Sequence, residues 1–199
     1  APRDGLVTGN MVRARMIVNE WLRVATDPRK ARALVFCVSR AHARFMTEQL
    51  NAAGLPAECV TGDTPPAEQV RAMKRLEHGQ VCALGTVDLF DEGVDVPTVA
   101  TLLLLRPTQS PVLFQQQIGR GLRLAPGKDS CLILDFVGQH RAEFRFDRLL
   151  TSITGLTRAQ LIDAVKDGFS TLPAGCHIQL HRKAREQVLR NLRTLTHQS

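Results

Sequence analysis

Apolar positions recur along the chain in two alternating rhythms. In residues 10–26, Ala14, Ile17, Val18, Trp21 and Ala25 fall on one stripe at the helical period. Residues 40–53 repeat it with Ala43, Met46, Leu50 and Ala53, and Gly54 marks the stop. A third helix starts at Pro65 and Pro66, where a missing N–H costs nothing, and runs to about His78 before Gly79. Between and after these helices lie short apolar runs without polar alternation, at 34–38, 57–60, 81–84, 99–105 and 131–135. Such runs suit strands buried on both faces, as in a parallel sheet. The pattern predicts an open α/β sheet of five or six strands, with functional loops at the strands' carboxyl ends. After Gln139 it turns helical, at about 141–150, 157–167 and 181–196. The last of these carries Ala184, Val188, Leu192 and Leu195 on one stripe, a face that needs a packing partner.

Composition adds bounds. The chain has 199 residues, 44% of them hydrophobic, which permits a core and an appendage. No apolar run approaches the ~18 residues of a membrane span, and the start has no signal-peptide pattern. The first residue is Ala1 rather than Met, so a piece of a larger protein is expected. The net charge is +7, unevenly spread. Residues 31–140 hold 10 Lys/Arg against 11 Asp/Glu, residues 1–30 hold 6 against 3, and residues 141–199 hold 10 against 5. The basic character therefore lies outside the central region. It fits a nucleic-acid partner or a solvated tail. Of the aromatics, Phe144, Phe146 and Phe169 accompany the tail charges, too few for a base-stacking platform. Five cysteines without CxxC spacing read as reduced thiols of a cytoplasmic protein. Cys176, His177 and His181 lack the second pair a zinc site needs, so no metal is assigned to this chain.

The candidate chemistry concentrates after Pro107. Read as a helix from about Pro111, the segment places Gln116, Arg120 and Arg123 at i, i+4 and i+7, on one face. Phe114, Ile118 and Leu122 form an apolar face that can pack on a sheet. Two permanently charged, planar guanidiniums beside an amide suit the γ-phosphate of a nucleotide. Gly119 and Gly121 cost the helix about 1 kcal/mol each relative to Ala, so close approach is expected there. Ser39 and Arg40 end the first core strand, where Ser39 can cap the next helix, touch phosphate, or both. Thr61 and Gly62 offer backbone N–H groups on the next edge loop, and Arg106 and Thr108 have similar access. Thr86 offers a hydroxyl, Gly93 a tight turn and Asp95 a carboxylate for a ribose hydroxyl.

The pattern Gln116-x-x-Gly119-Arg120-x-x-Arg123 resembles the last motif of superfamily 2 helicases. Residues 33–40 (ALVFCVSR), 61–63 (TGD) and 85–97 (GTVDLFDEGVDVP) agree in order and spacing with the strand, loop and nucleotide-contacting motifs that precede it there. The likeness is to the C-terminal RecA-like domain of bacterial DEAD/DEAH-type helicases related to type III restriction subunits. Residues 104–138 also resemble large repair or defence helicases that carry a phospholipase-D-like nuclease domain. The resemblance implies a RecA-like, mostly parallel sheet flanked by helices over 31–140, an N-terminal helix and linker over 1–30, and a helical extension over 141–199.

It also implies roles. Arg120 and Arg123 would act as arginine fingers. Gln116, Gly93, Asp95 and Gly119 would contact ATP. Ser39, Arg40, Thr61, Gly62, Thr86, Arg106 and Thr108 would follow a nucleic-acid backbone, with DNA favoured over RNA. Val87 separates Thr86 from Asp88, so either can hold the threonine-acid role of that motif. The chain has no GxxxxGK[ST] phosphate loop, since Asp129 follows Gly127-Lys128, and no DEAD-like carboxylate pair for Mg²⁺. ATP and Mg²⁺ are therefore expected to bind mainly to a preceding RecA-like domain of the same chain, and the isolated fragment to be inactive. The alternative is a nucleic-acid or protein-binding module of the same fold without ATP turnover.

Overall fold

The computed structural model describes residues 10–87, 98–106, 130–136, 150–151, 154–170, 178–180 and 182–194. They fall in two compact units, one holding the described residues up to Phe136 and the other those from Leu150 on.

In the first unit, the short apolar runs form one parallel sheet: β1 (Ala33–Phe36), β2 (Ala57–Cys59), β3 (Ala83–Thr86), β4 (Thr101–Leu104) and β5 (Leu132–Asp135). The order is β2-β3-β1-β4-β5, which leaves β1 at the centre. Every residue of β1, β3 and β4 is buried, as the lack of polar alternation predicts. Side chains alternate across a strand. Ala33, Val35, Cys37, Leu103 and Leu105 therefore share one face, which joins a core with α1 (Met11–Val24) and α2 (Arg40–Ala52). Trp21 and Ile17 of α1 and Met46 and Leu50 of α2 fill that core. The N-terminal helix thus belongs to the sheet's own core, and Arg13 Nη2 donates to the carbonyl of Phe136 just beyond β5 at 2.8 Å.

Side-chain bonds fix the edges. Gly54, at φ 75°, lets the chain leave α2 where a side chain would be strained. The Asn51 amide then imitates a neighbouring strand: Nδ2 donates to the Ala57 carbonyl at 2.9 Å, and Oδ1 accepts the Ala57 N–H at 3.0 Å. The outer strand β2 is clamped from α3 (Pro66–Glu77) by Arg75, whose Nε and Nη2 each lie 2.7 Å from the Glu58 carboxylate. Arg75 Nη2 also reaches Glu68 at 2.6 Å. This pairing holds Glu68 below the usual carboxylate range, through the Arg75 hydrogen bond first.

The strand ends differ from the sequence pattern by a residue or two, and at β1 and β3 the difference shows its cause or its cost. β1 ends at Phe36 rather than Val38 because the Val38 N–H turns to His42 Nδ1, 3.2 Å away, and the Val38 side chain emerges to 37% exposure. β3 starts two residues late and takes in Gly85 and Thr86, both buried, although glycine is depleted in strands and the apolar run stops at Leu84.

The second unit holds α4 (Arg158–Asp167) and α5 (Arg182–Thr194). Thr157 and Gln160 form a reciprocal capping box at the start of α4, and Gly168 caps its end at φ 72°. Leu161, Ala164 and Val165 pack with Val188 and Leu192 of α5 and with Leu150 and Phe169. Val188 and Leu192, the described part of the last helix's apolar stripe, thus find their partner inside their own unit. Arg158 donates from Nε and Nη2 to the Leu192 carbonyl, satisfying the last turn of α5. The expected 141–150 helix lies almost wholly outside the described residues. No helix among the described residues is long and apolar enough to cross a membrane.

Candidate functional site

The register aligns the strand ends. Phe36 is level with Thr86 and with Leu104, and Leu104 with Asp135. Each ladder continues one step past the strands: Cys37 N–H donates to Thr86 O at 2.7 Å, Leu105 to Phe36 O and Phe136 to Leu104 O at 2.9 Å, and Val60 to Gly85 O at 2.9 Å. Ser39, Arg40, Thr61, Gly62, Thr86 and Arg106 all leave this same carboxyl edge. Loops there converge because parallel strands all point one way. Gly93, Asp95, Thr108, Gln116, Gly119, Arg120 and Arg123 lie outside the described residues.

Ser39 is the N-cap of α2, and its Oγ accepts the His42 N–H at 3.2 Å. Accepting that bond leaves the hydroxyl proton able to donate elsewhere. His42 is a residue the sequence pattern did not single out. Its ring is buried, and because Nδ1 accepts the Val38 N–H, the ring proton sits on Nε2. The only hint in the sequence is a polar residue on the apolar stripe three positions after a cap.

Arg40 pairs with Asp63 across the two edge loops. Both side chains are more than half exposed, so the pair contributes little to stability. The Thr61 N–H, expected to be available to phosphate, instead donates to Thr64 Oγ1 at 3.0 Å, while Thr64 N–H returns a bond to Thr61 O at 2.9 Å. Gly62 is exposed, and a Cβ there would meet nothing nearer than Arg40 Nη2 at 3.8 Å.

Thr86 stands apart. It is fully buried, and its hydroxyl has no hydrogen-bond partner among the described residues. An unpaired buried hydroxyl costs roughly 1–3 kcal/mol, so a polar group retained there wants a ligand or a mobile partner. Thr86→Val keeps the shape and removes the hydroxyl. It is expected to raise the unfolding free energy by about 1 kcal/mol in urea titrations. A loss of similar size would mean that the hydroxyl is already satisfied.

Cys37 and Cys82 are poor nucleophiles. Burial pushes Cys37 far above the ordinary thiol range, with only partial relief from Arg106, and pushes Cys82 up to about 11. Cys37, Cys59, Cys82 and Cys131 form no disulfide. Among the described residues no three His, Cys, Asp or Glu side chains gather as metal ligands. Cys176, His177 and His181 lie outside those residues.

Residues 15–125 match the family described as "Helicase conserved C-terminal domain". The "Putative ATP-dependent helicase IRC3" of Saccharomyces cerevisiae is 33% identical over 138 residues, 69% of this chain and 20% of that protein. The "Type I restriction enzyme EcoKI endonuclease subunit" of Escherichia coli is 34% identical over 141 residues, covering 62% of this chain and 12% of that protein. The chain thus spans about a fifth or less of the length of these relatives. Among solved structures, "Mss116p DEAD-box helicase domain 2 bound to an RNA duplex" shares the fold, with a TM-score of 0.55 and 16% identity over 76% of this chain and 64% of that one. With the five-stranded parallel sheet, the matched motif region and these relatives together, the chain belongs to the conserved C-terminal domain family of superfamily 2 helicases.

Proposed function

We propose that this domain is the second motor domain of an ATP-dependent helicase or translocase. It would supply arginine fingers to ATP bound mainly by a preceding RecA-like domain, and part of the nucleic-acid track. The observation that carries the reading is the level carboxyl edge, where Ser39, Arg40, Thr86 and Arg106 leave adjacent strands of one parallel sheet in a chain of this family.

In this mechanism Arg120 and Arg123 approach the γ-phosphate when the two motor domains close. Asp95 takes a ribose hydroxyl, Gly93 and Gly119 permit close backbone approach, and Gln116 orients. Mg²⁺ bound mainly by the preceding domain would supply shielding of phosphate charge. The guanidiniums neutralise the rest as the terminal phosphoryl group separates, in a cleft from which water is excluded. Closing and opening move the edge loops against a phosphate backbone. Ser39 donates its hydroxyl proton, Arg40 exchanges Asp63 for a phosphate, and Thr86 gains the partner its hydroxyl lacks. Gly62, Arg106 and Thr108 line the same track. Contacts of this kind position without reading sequence. DNA as the strand in preference to RNA rests on the likeness to restriction subunits, and the free thiols fit a reducing compartment such as the cytoplasm.

The isolated chain tests the division of labour. Without a phosphate loop it is expected to show no nucleic-acid-stimulated ATPase and only weak nucleotide binding in equilibrium dialysis. Robust turnover by the pure chain would sink the reading.

A further inference from the structure

We propose that His42 is a positioning residue for the nucleic-acid track: its ring and its backbone N–H together fix the turn that presents the Ser39 hydroxyl to a phosphate. The proposal rests on the motor reading above and acts through Ser39. Three consecutive residues leave β1 under restraint. The Cys37 N–H donates to Thr86 O at 2.7 Å, which keeps it in the ladder with β3. The Val38 N–H does not continue the ladder and donates to His42 Nδ1 at 3.2 Å. The Ser39 Oγ accepts the His42 N–H, also at 3.2 Å. Val38 and Ser39 are thus both held by one residue in the first turn of α2.

Helix capping alone does not ask for this arrangement. The chain caps α4 with a residue at the same spacing, Gln160, whose Oε1 accepts the N–H of the cap residue Thr157 at 2.9 Å. His42 stands at the matching position of α2, three residues after the cap Ser39, but its ring reaches one residue further back. The restraint therefore falls on the loop as well as on the helix. It also carries a desolvation cost, because His42 is only 1% exposed whereas Gln160 is exposed.

The arrangement suits phosphate binding. A serine hydroxyl has one proton to give and two lone pairs. With one lone pair taken by the His42 N–H, the Ser39 proton must point away from that donor. The same turn delivers Arg40, which reaches Asp63, and it is tied through Cys37 to Thr86, the residue with the unpaired buried hydroxyl. A donor oriented in advance loses less freedom when its ligand arrives. A turn released from the imidazole would still let Ser39 cap α2, but would no longer hold the hydroxyl in one direction.

The test separates the loop from the helix. His42→Asn keeps an acceptor where Nδ1 stands, because Asn Oδ1 branches from the same carbon, and loses the rest of the ring. His42→Gln is expected to form the cap seen at α4 and to release Val38. Amide hydrogen exchange should find the Val38 N–H protected in the unmodified chain and in His42→Asn, and unprotected in His42→Gln. Anisotropy titrations of the whole chain with a labelled single-stranded oligonucleotide then read the consequence. His42→Gln is expected to bind about 10-fold more weakly, the scale of a lost hydrogen bond to a charged group. Its slope of log K against log salt should not change, since a hydroxyl contact releases no counterion. His42→Asn should bind like the unmodified chain, although thermal melts should rank it the less stable variant because of the void it leaves. A purely structural residue gives the reverse order, with binding following stability. That order overturns the proposal, as do Val38 protection retained in His42→Gln and unchanged binding by His42→Gln. A shallower slope for His42→Gln would place the loss on Arg40 and overturn the assignment to Ser39. Ser39→Ala keeps the two failures apart. If it weakens binding and His42→Gln does not, the track stands without His42. If Ser39→Ala, Arg40→Gln and Thr86→Val all leave binding unchanged, or the unmodified chain binds no oligonucleotide, the track reading falls and the proposal with it.

Discussion

Arg120→Ala or Arg123→Ala in the parent protein is expected to lower kcat for nucleic-acid-stimulated ATP hydrolysis by about 10³ or more, the scale of a lost arginine finger. The loss should fall on kcat with little change in KM, because the charge is needed most as the phosphoryl group separates. Lysine should rescue poorly: it keeps the charge but not the planar, multi-donor fork. Gln116→Ala should cost less, since a neutral amide orients and does not neutralise. Thermal unfolding should hardly move, because a charge that serves another domain's substrate adds little to this domain's core. Steady-state rates for the four variants, beside melting curves, check all of this. Turnover unchanged after removal of both arginines would leave the chain as a binding module of the same fold.

Gly85→Ala is expected to destabilise the sheet unit by about 2–3 kcal/mol, the upper part of the range for overpacking. A Cβ at Gly85 would stand 2.6 Å from Thr47 Oγ1 and 3.2 Å from the Ala43 carbonyl. Thr47 cannot simply rotate away, because it is buried and its hydroxyl donates to that same carbonyl at 2.8 Å. The helix α2 therefore sits on β3 at a distance only glycine allows. The neighbouring Thr86 is part of the proposed track, so nucleic-acid binding should fall together with stability. Adding Thr47→Ala should recover part of the loss, and urea unfolding of the two single variants and the double variant measures the coupling. Strict additivity would mean that the contact is not the cause.

That contact also explains where the sequence misleads. The stripe of Ala14, Ile17, Val18 and Trp21, the stop at Gly54 and the apolar runs of β1 and β4 are local signals, and the fold follows them. Gly85 and Thr86 read as the start of a loop because the apolar run stops at Leu84 and glycine is depleted in strands. They are strand because both pair with β1, and α2 packs closely on Gly85; no local pattern encodes either relation. In the same way, the end of β1 is decided by a bond from Val38 to His42, and the Thr61 amide is taken by Thr64. The strands that carry Ser39, Thr86 and Arg106 to one edge were legible from apolar runs. How each donor is already engaged there was not: the short turn and cap bonds of Thr61 and Ser39 depend on the exact loop conformation, and Arg40 meets Asp63 only once two loops come together.

On the proposed mechanism this chain completes a composite ATP site in the transition state. The most direct measurement is the affinity of the parent protein for ADP with aluminium fluoride, a mimic of the transferring phosphoryl group, beside its affinity for ATP. With Arg120→Ala the account predicts a loss of about 10³ for the mimic and a few-fold at most for ATP. Equal losses for both ligands, or none for the mimic, would contradict it.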